Sequence, residues 1–300
     1  MKLYDCFMYF DEDLVLDLRL NILNEQVDKF VIAEATKDHT GKDKKLNFNI
    51  NNFSEFKKKI IYIPVKNEPE DLVYDNENGK LLEKPSNRRI NSVKRIAHQR
   101  NKLMDGLSEA DDSDFIFYSD NDEMPNFNNF NFEINKNKIV MFKQKLFYYK
   151  FNLLCDLVDW YGTKGCTKKN LISFEWLRQI KPKKYPFFRF DTIFSKVKYN
   201  NVNIVDDGGW HFTRILTPEE IHLKELNAEH HDEYRLSKKD VPMIKDLVER
   251  KVINYDFSAK STDNKFTKEF KLKTLSIDHM PLFLKENINK YSKWFDFENK

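Results

Sequence analysis

Apolar and polar positions along the first half of the chain predict strands and helices in alternation. Four apolar runs have the length of strands, at residues 3–10, 29–35, 59–65 and 115–118. Between the first two runs, Leu14, Leu18 and Ile22 recur at helical spacing, and Asp11 and Asp13 precede them as possible caps. The order of these elements predicts an α/β fold with a mostly parallel central sheet flanked by helices.

A second helix is predicted at residues 89–107, directly before the fourth apolar run. Its apolar residues share one side, whereas Arg95 and Arg100 belong to a basic flank. The strand at 115–118 then ends in an acidic segment, residues 119–123. Because ligands of open α/β sheets bind beyond the carboxyl ends of the strands, this segment is where chemistry is expected.

The second half of the chain has a looser pattern. Its further predicted elements are a long strand or hairpin arm at 139–151, a loop at Gly162 and Gly165, a short helix at 173–180, a strand at 202–205 and a helix at 240–251. Thr217, Pro218 and Glu220 form a capping box that starts another helix, expected to reach about His230. No repeat, long linker or low-complexity segment divides the chain, so one domain with a C-terminal helical portion is expected.

Composition narrows the class of protein. The chain is 40% hydrophobic and 14% aromatic, which is enough for a real core, and 51 Lys and Arg face 48 Asp and Glu, a net charge of +3. This balance provides no electrostatic footprint for duplex nucleic acid. No apolar stretch reaches bilayer-spanning length and the first residues lack a signal-peptide pattern, so a cytoplasmic protein is expected. Cys6, Cys155 and Cys166 lack metal spacing and are expected to be inert thiols.

Asp120 and Asp122 are the first candidates for a chemical role. In an extended segment, residues two apart point the same way, so both carboxylates can face one ion. Mg²⁺ binds one or two carboxylates plus the phosphate oxygens of a substrate, and Mn²⁺ suits the same ligands. The alternative is a solvated acidic loop without a function, because acidic residues also favour turns.

Several motifs in a fixed order add up to a family resemblance. They are Asp5-Cys6-Phe7, Arg19-Leu20-Asn21, residues 27–32 leading to Glu34, Thr40-Gly41-Lys42, His98-Gln99-Arg100-Asn101, residues 120–125, Gly209-Trp210-His211-Phe212 followed by Lys224, and Pro281-Leu282 with Asn287. With these motifs the chain resembles glycosyltransferase family 17, whose best-known members are the bisecting β-1,4-N-acetylglucosaminyltransferases. The resemblance implies a GT-A type nucleotide-sugar-binding fold and an inverting transfer, with UDP-N-acetylglucosamine as the family's known donor.

The chain also departs from the family pattern. Met124 stands where isoleucine is usual, which is a conservative apolar exchange. Golgi-type members carry an N-terminal membrane anchor, whereas this chain begins almost at the catalytic domain and looks like an anchorless bacterial or viral member. The expected acceptor is a glycan or glycolipid, and the oligomeric state is left open. Residues 1–300 are expected to form one domain, with a nucleotide-sugar-binding half at 1–135 and an acceptor-side half at 136–300.

The resemblance implies roles for the charged residues. Asp120 and Asp122 would bind the metal ion and the donor, with Asp122 as the more direct ligand. A divalent ion that bridges the phosphates acts as a Lewis acid on the departing diphosphate. His211 is a third metal ligand or a diphosphate contact, because Gly208 and Gly209 allow the backbone to approach a ligand closely. Its alternative is a core histidine beside Trp210.

Further donor contacts are expected on neighbouring elements. Arg100 can reach the diphosphate with a bidentate fork, assisted by Arg95; the alternative is a solvated basic face. Glu34 is expected at the nucleotide or sugar, or else as a structural carboxylate. Lys224 is expected at a phosphate, or else at the surface, and Trp210 either stacks on the donor or packs in the core.

An inverting transfer needs a general base for the acceptor hydroxyl. Glu123, next to the metal motif, and Asp207, before the glycines, are the candidates. Glu123 has a structural alternative, a hydrogen bond to backbone that shapes the turn. Two other functions remain open: a non-catalytic glycan- or nucleotide-binding module, and a metal-dependent phosphodiesterase, although a second ligand cluster for a two-ion site is not evident.

Overall fold

The computed structural model describes residues 1–77, 80–82, 84–132, 138–183, 195, 198, 202–227, 231–261 and 264–297. The strands are β1 Leu3–Met8, β2 Lys29–Ala35, β3 Ile60–Val65, β4 Asp75–Glu77, β5 Lys80–Leu82, β6 Phe115–Ser119, β7 Glu123–Pro125, β8 Ile139–Tyr148, β9 Leu153–Thr167, β10 Val202–Val205, β11 Gly209–Thr213, β12 Val252–Ile253, β13 Phe270–Lys271 and β14 Lys273–Thr274. The helices are α1 Asp13–Leu23, α2 Pro85–Lys102, α3 Phe174–Gln179, α4 Pro218–Asn227, α5 His231–Ser237, α6 Val241–Glu249, α7 Leu282–Glu286 and α8 Ile288–Tyr291.

One large mixed sheet organises the described part of the chain. Its main order is β3-β2-β1-β6-β9-β8-β11-β7, with β10 beside β8 and β14 beside β9. Strands β3, β2, β1 and β6 are parallel, whereas β9 runs antiparallel to both β6 and β8. Helix α1 connects β1 to β2 and α2 precedes β6, as crossovers between parallel strands require. The predicted fold class, α/β with a mostly parallel central sheet flanked by helices, is confirmed.

The core lies on both faces of the parallel strands. Along β6, Phe115 and Phe117 join one buried cluster, and Ile116 and Tyr118 join another on the opposite face. This alternation follows from the two-residue period of a strand. Because both faces are covered, the strands read as continuous apolar runs, which is why they were recognisable in the sequence.

The prediction of a loop at Gly162 and Gly165 is wrong, because both glycines lie inside the long strand β9. A Cβ on Gly165 would be 2.2 Å from the ring of Phe117, and a Cβ on Gly162 would be 2.2 Å from Gln144 Oε1. The glycines therefore make room for side chains of the neighbouring strands β6 and β8. In a strand interior, such close approach is a common reason for glycine.

We expect Gly165→Ala to lower the free energy of unfolding by about 2–3 kcal/mol, because the added methyl overpacks a completely buried site. Urea denaturation of the variant measures this loss. Adding Phe117→Leu in the same chain should recover part of it, since the smaller side chain vacates space beside the methyl. An unchanged unfolding midpoint for Gly165→Ala would contradict the packing argument.

The predicted helix starts are confirmed in one case and wrong in another. Thr217 and Glu220 form the capping box, with Thr217 N–H donating to Glu220 Oε2 at 2.8 Å. Helix α4 follows to Asn227, and the predicted end near His230 lies outside the described residues. At α1, by contrast, Glu12 occupies the N-cap position and makes no capping hydrogen bond with its side chain. Glu12 instead binds a lysine, as described below.

Candidate functional site

The acidic segment after β6 is a tight turn rather than an extended strand. The Glu123 N–H donates to the Asp120 carbonyl at 3.0 Å, and the Asp120 N–H donates back to Glu123 Oε2 at 2.9 Å. The expectation that Asp120 and Asp122 share one extended face is therefore wrong. The turn aims their carboxylates at different partners, although Asp122 is close enough to raise the pKa of Asp120.

A buried arginine holds this turn from below. Arg19 of α1 forms a bidentate ion pair with Asp5 of β1, at 2.5 and 2.7 Å. Its remaining terminal nitrogen donates to the carbonyls of Asp120, Asn121 and Glu123, at 3.2, 3.2 and 2.6 Å. The Arg19 and Asp5 side chains are completely buried. One guanidinium thus fixes the backbone of the turn to the first strand of the sheet.

Asp120 is held by two donors from different elements. Tyr118 donates to Oδ1 at 3.0 Å, and Arg178 of α3 donates to Oδ2 at 3.1 Å. Arg100 donates to the Tyr118 hydroxyl at 2.9 Å and also forms an ion pair with Glu175. Burial raises the pKa of Asp120, but Arg178 and Arg100 lower it more, so the carboxyl is held ionised.

Asp122 forms a pair with His211, the histidine of β11. The Asp122 Oδ1 and His211 Nε2 atoms lie 3.3 Å apart, and the Phe212 N–H donates to the Asp122 carbonyl at 2.8 Å. Burial raises the pKa of Asp122, but His211 lowers it more, to well below its usual range. The imidazole is buried against the Trp160 ring, with 4.5 Å between centroids. Its Nδ1 is a buried atom without a hydrogen-bond partner in the structure.

Glu123 makes the hydrogen bond to backbone that was its structural alternative to the role of general base. Its side chain is fully buried, and its oxygens accept from the Asp120 N–H and from the Trp160 indole at 2.8 Å. Burial and the neighbouring Asp120 raise the pKa of Glu123. In this arrangement the carboxylate shapes the turn and orients Trp160.

Lys224 is brought to the cluster from α4. Its ammonium lies 2.8 Å from Glu12 Oε1. Burial lowers the pKa of Lys224, but Glu12 and Asp122 raise it more. The loop after β1, the turn after β6 and helix α4 therefore converge on one charged cluster. Arg100 also belongs to this cluster, because its contact with Tyr118 leads to Asp120.

Three other predicted residues, Glu34, Arg95 and Trp210, bind partners outside the charged cluster. Glu34 is buried and accepts from four donors, Lys44 Nζ, Asn47 N–H, Phe48 N–H and Tyr62 Oη. Arg95 pairs with Glu68 at 2.6 Å and packs against Gly41. Trp210 alternates with His211 along β11 and therefore faces the other side of the sheet, where its indole donates to the His279 carbonyl at 2.8 Å.

Asp207 also lies apart from the cluster. It occupies a turn with a φ of 47°, is mostly exposed, and pairs with Lys145 at 2.7 Å. In the antiparallel register Gly209 faces Pro125 and His211 faces Glu123, so Asp207 lies past the opposite end of β7 from Asp122. The glycines serve strand packing: a Cβ on Gly209 would be 2.1 Å from the Met124 carbonyl oxygen. The expected close approach is therefore to β7 and not to a ligand.

Sequence reasoning missed several residues that build the site. Arg178 and Trp160 contact the turn, and Glu12 contacts Lys224; none gave a signal, because these contacts span long distances in sequence. Asp5 and Arg19 were visible in the ordered motifs, but nothing in their spacing indicated an ion pair. Buried charges are paired, so an Asp and an Arg that are both expected to be buried in neighbouring elements could have suggested an ion pair.

Lys164 of β9 positions Arg178. Its buried ammonium donates to the carbonyls of Arg178 and Ile180, at 2.5 and 2.6 Å. We expect Lys164→Met to lower the free energy of unfolding by about 3 kcal/mol, because two buried carbonyls lose their hydrogen-bond donor. Burial, with Arg178, lowers the pKa of Lys164 to about 7 from 10.5. Between those values the unfolded chain binds more protons, so the contribution of Lys164 to stability increases with pH.

Urea denaturation of the wild type and the Lys164→Met variant at pH 7 and pH 9.5 measures both effects. Lys145→Met serves as the control, because Lys145 is an exposed lysine with an ion pair at the surface. A difference between wild type and Lys164→Met that shrinks at the higher pH would contradict the assignment.

The fold is α/β, and its charged cluster lies at the carboxyl ends of parallel strands, where open α/β sheets bind their ligands. A family model described as Glycosyltransferase family 17 matches residues 1–183. This match covers more than half of the sequence, and the chain belongs to glycosyltransferase family 17. The suspected family is thereby confirmed, and with it a glycosyltransferase activity, which uses a nucleotide sugar and an acceptor.

A comparison with curated proteins found no match to the chain. Among solved structures, it is similar to the 2-C-methyl-D-erythritol 4-phosphate cytidylyltransferase of Francisella tularensis, with 10% identity over 76% of this chain and 100% of that chain and a TM-score of 0.30. It is also similar to the inositol-1-phosphate CTP transferase of T. maritima, with 13% identity over 82% and 96% and a TM-score of 0.32.

No helix of the described residues has the length and apolar character of a membrane span. Within the same residues, no group of three or more His, Cys, Asp or Glu side chains is placed to hold a metal ion.

Proposed function

We propose that the chain transfers a sugar, N-acetylglucosamine, from its UDP donor to a hydroxyl of a glycan with inversion, assisted by Mn²⁺ or Mg²⁺. The observation that carries this proposal is the pairing of Asp122 with His211 beside Asp120, in a turn that Arg19 holds rigidly. An enzyme gains rate from groups that are held in place before the reaction.

The pair of Asp122 and His211 fits a divalent ion. Adjacent ligands of an octahedral ion with bonds of about 2.1 Å lie about 3 Å apart, and the carboxylate oxygen and the imidazole nitrogen are separated by 3.3 Å. His211 keeps a second nitrogen without a partner. Two protein ligands suffice, because Mg²⁺ takes further oxygens from substrate phosphates and water. When bound, the ion would stabilise the negative charge of the leaving diphosphate.

The protein's own cations support the same chemistry. Arg178 and Lys224 approach the turn from α3 and α4, and each is paired with a carboxylate, Asp120 or Glu12. A diphosphate placed between them would accept hydrogen bonds from both. Arg100 fixes the Tyr118 hydroxyl that donates to Asp120. In this proposal Asp120 positions Arg178, and Glu123 orients Trp160.

Release of free UDP from UDP-sugars tests the proposal. With a panel of methyl β-glycosides as acceptors, we expect UDP release from UDP-N-acetylglucosamine with Mn²⁺ or Mg²⁺, faster than from UDP-glucose or UDP-galactose, and loss of turnover in EDTA that added metal restores. A phosphodiesterase would instead break the diphosphate and release UMP. Binding of UDP without turnover of any donor would favour the non-catalytic module. Either result would reject the proposal.

A further inference from the structure

A cavity of about 390 Å³ adjoins the charged cluster. Strands β8 and β11 form its floor and helices α4 to α6 cover it, so it lies within residues 136–300, the half that is expected to bind the acceptor. His211 and Trp160 form part of its wall. The side chain that pairs with Asp122 therefore lines the cavity. The volume of the cavity is within the range of about 300–1,000 Å³ that small-molecule sites occupy.

Aromatic rings form a large part of the lining. They come from strands β8 and β9, the residue after β8, the segment after β12 and helix α5, and they are Tyr148, Tyr149, Trp160, Tyr234, Tyr255, Phe257 and Phe266. Trp160 is held by the hydrogen bond from its indole to Glu123. A flat ring in a fixed position offers a surface for the apolar face of a sugar ring, at little cost in side-chain entropy.

Charged side chains also line the cavity, beside the aromatic rings. Arg214 donates to Glu225 at 2.5 Å, and its guanidinium carbon lies 5.1 Å from the centroid of the Tyr148 ring. Lys239 donates to the Asn254 carbonyl at 2.8 Å from the same wall. These groups place donors and acceptors beside the rings in set positions, as recognition of hydroxyl groups requires.

We propose that this cavity binds a saccharide, namely the terminal sugar of the acceptor, with its hydroxyl directed toward the end of the cavity at His211. The inference rests on the proposed function and names the substrate class of the same site. Rings alternating with ion-paired polar groups favour a sugar over an acyl or isoprenoid chain, which would leave Arg214, Glu225 and Lys239 facing hydrocarbon.

The test fills the cavity from a wall that is remote from the charged cluster. Leu247 of α6 is buried and lines the cavity, whereas Met243, one turn earlier on the same helix, is 53% exposed. Leu247→Trp should occupy the space for a sugar, and Met243→Trp is the matched control. The probes are methyl β-glycosides of N-acetylglucosamine, glucose, galactose and mannose, with binding followed by saturation-transfer NMR in the presence of UDP.

We expect at least one glycoside to bind the wild type and Met243→Trp, and to lose at least tenfold in affinity with Leu247→Trp. Glu225→Gln is the second variant, in case the tryptophan prevents folding; it keeps the shape and should weaken binding about tenfold through the lost charged acceptor. Thermal unfolding checks that each variant is folded.

Several outcomes would overturn the inference. Equal glycoside binding by folded Leu247→Trp and Met243→Trp would place the sugar elsewhere. Farnesyl phosphate that binds where no glycoside does, and that Leu247→Trp excludes, would assign the cavity to a lipid. UDP release from the donor is measured in parallel with the same glycosides present as acceptors. Its absence from a wild type that binds a glycoside would reject the proposed function, whereas glycoside binding would still report on the cavity.

Discussion

Replacing Asp122 with asparagine should reduce sugar transfer at least a thousandfold while leaving the fold intact. The substitution keeps the shape and an oxygen that can accept from His211, but it removes the negative charge that the proposed ion needs. A thousandfold loss corresponds to about 4 kcal/mol in the activation free energy. Because the variant loses a charge-assisted interaction with the buried His211, the free energy of unfolding should fall by about 1.5–3 kcal/mol, which leaves a protein of ordinary stability folded.

The measurement combines UDP release, urea denaturation and calorimetric titration of UDP with Mn²⁺. Asp112→Asn is the matched control, an exposed aspartate in the loop before β6, and it should behave as the wild type does. Asp122→Asn should also lose the part of UDP affinity that depends on metal. Transfer at a normal rate by this variant would remove Asp122 from the proposed site.

Replacing Arg19 with methionine should destabilise the protein by about 3–5 kcal/mol. The change leaves the Asp5 carboxylate buried without its partner, and breaking one member of a buried pair has this cost. It also removes the donor to three carbonyls of the turn. We therefore expect a large loss of UDP release as well, because the carboxylates of Asp120 and Asp122 no longer have a fixed backbone.

A second change separates these two effects. In the variant with both Asp5→Leu and Arg19→Met, the buried charge is gone, so urea denaturation should show that much of the stability returns. The carbonyls of the turn still lack their donor, so UDP release should stay low. If the double variant recovered both stability and activity, Arg19 would be only the partner of Asp5 and not the residue that holds the turn.

Much of the fold was predictable because the relevant signals are local. Buried parallel strands give apolar runs, and the capping box at Thr217 and Glu220 spans only four residues. The error at Gly162 and Gly165 has the opposite cause. Their role depends on Gln144 and Phe117, which belong to neighbouring strands, and a glycine required by packing looks the same in sequence as a glycine in a turn.

The candidate site divides in the same way. The position of Asp120 and Asp122 after a buried strand was readable, whereas the direction of each carboxylate was not. That direction depends on the hydrogen bonds between Asp120 and Glu123, which close the turn. The distance of Asp207 from the cluster likewise follows from the register of β11 against β7, which no local pattern encodes.

The sequence by itself determined the main strands and helices of the first half of the chain, the acidic segment at the end of a central strand and the family. The tertiary structure alone decided which charged groups are in contact. Arg19 binds the backbone of the turn, Arg178 pairs with Asp120, His211 pairs with Asp122 and Lys224 pairs with Glu12. The physical reason is that strand and helix patterns arise from neighbours along the chain. An ion pair between residues a hundred positions apart forms only where packing brings the two together and removes water from both.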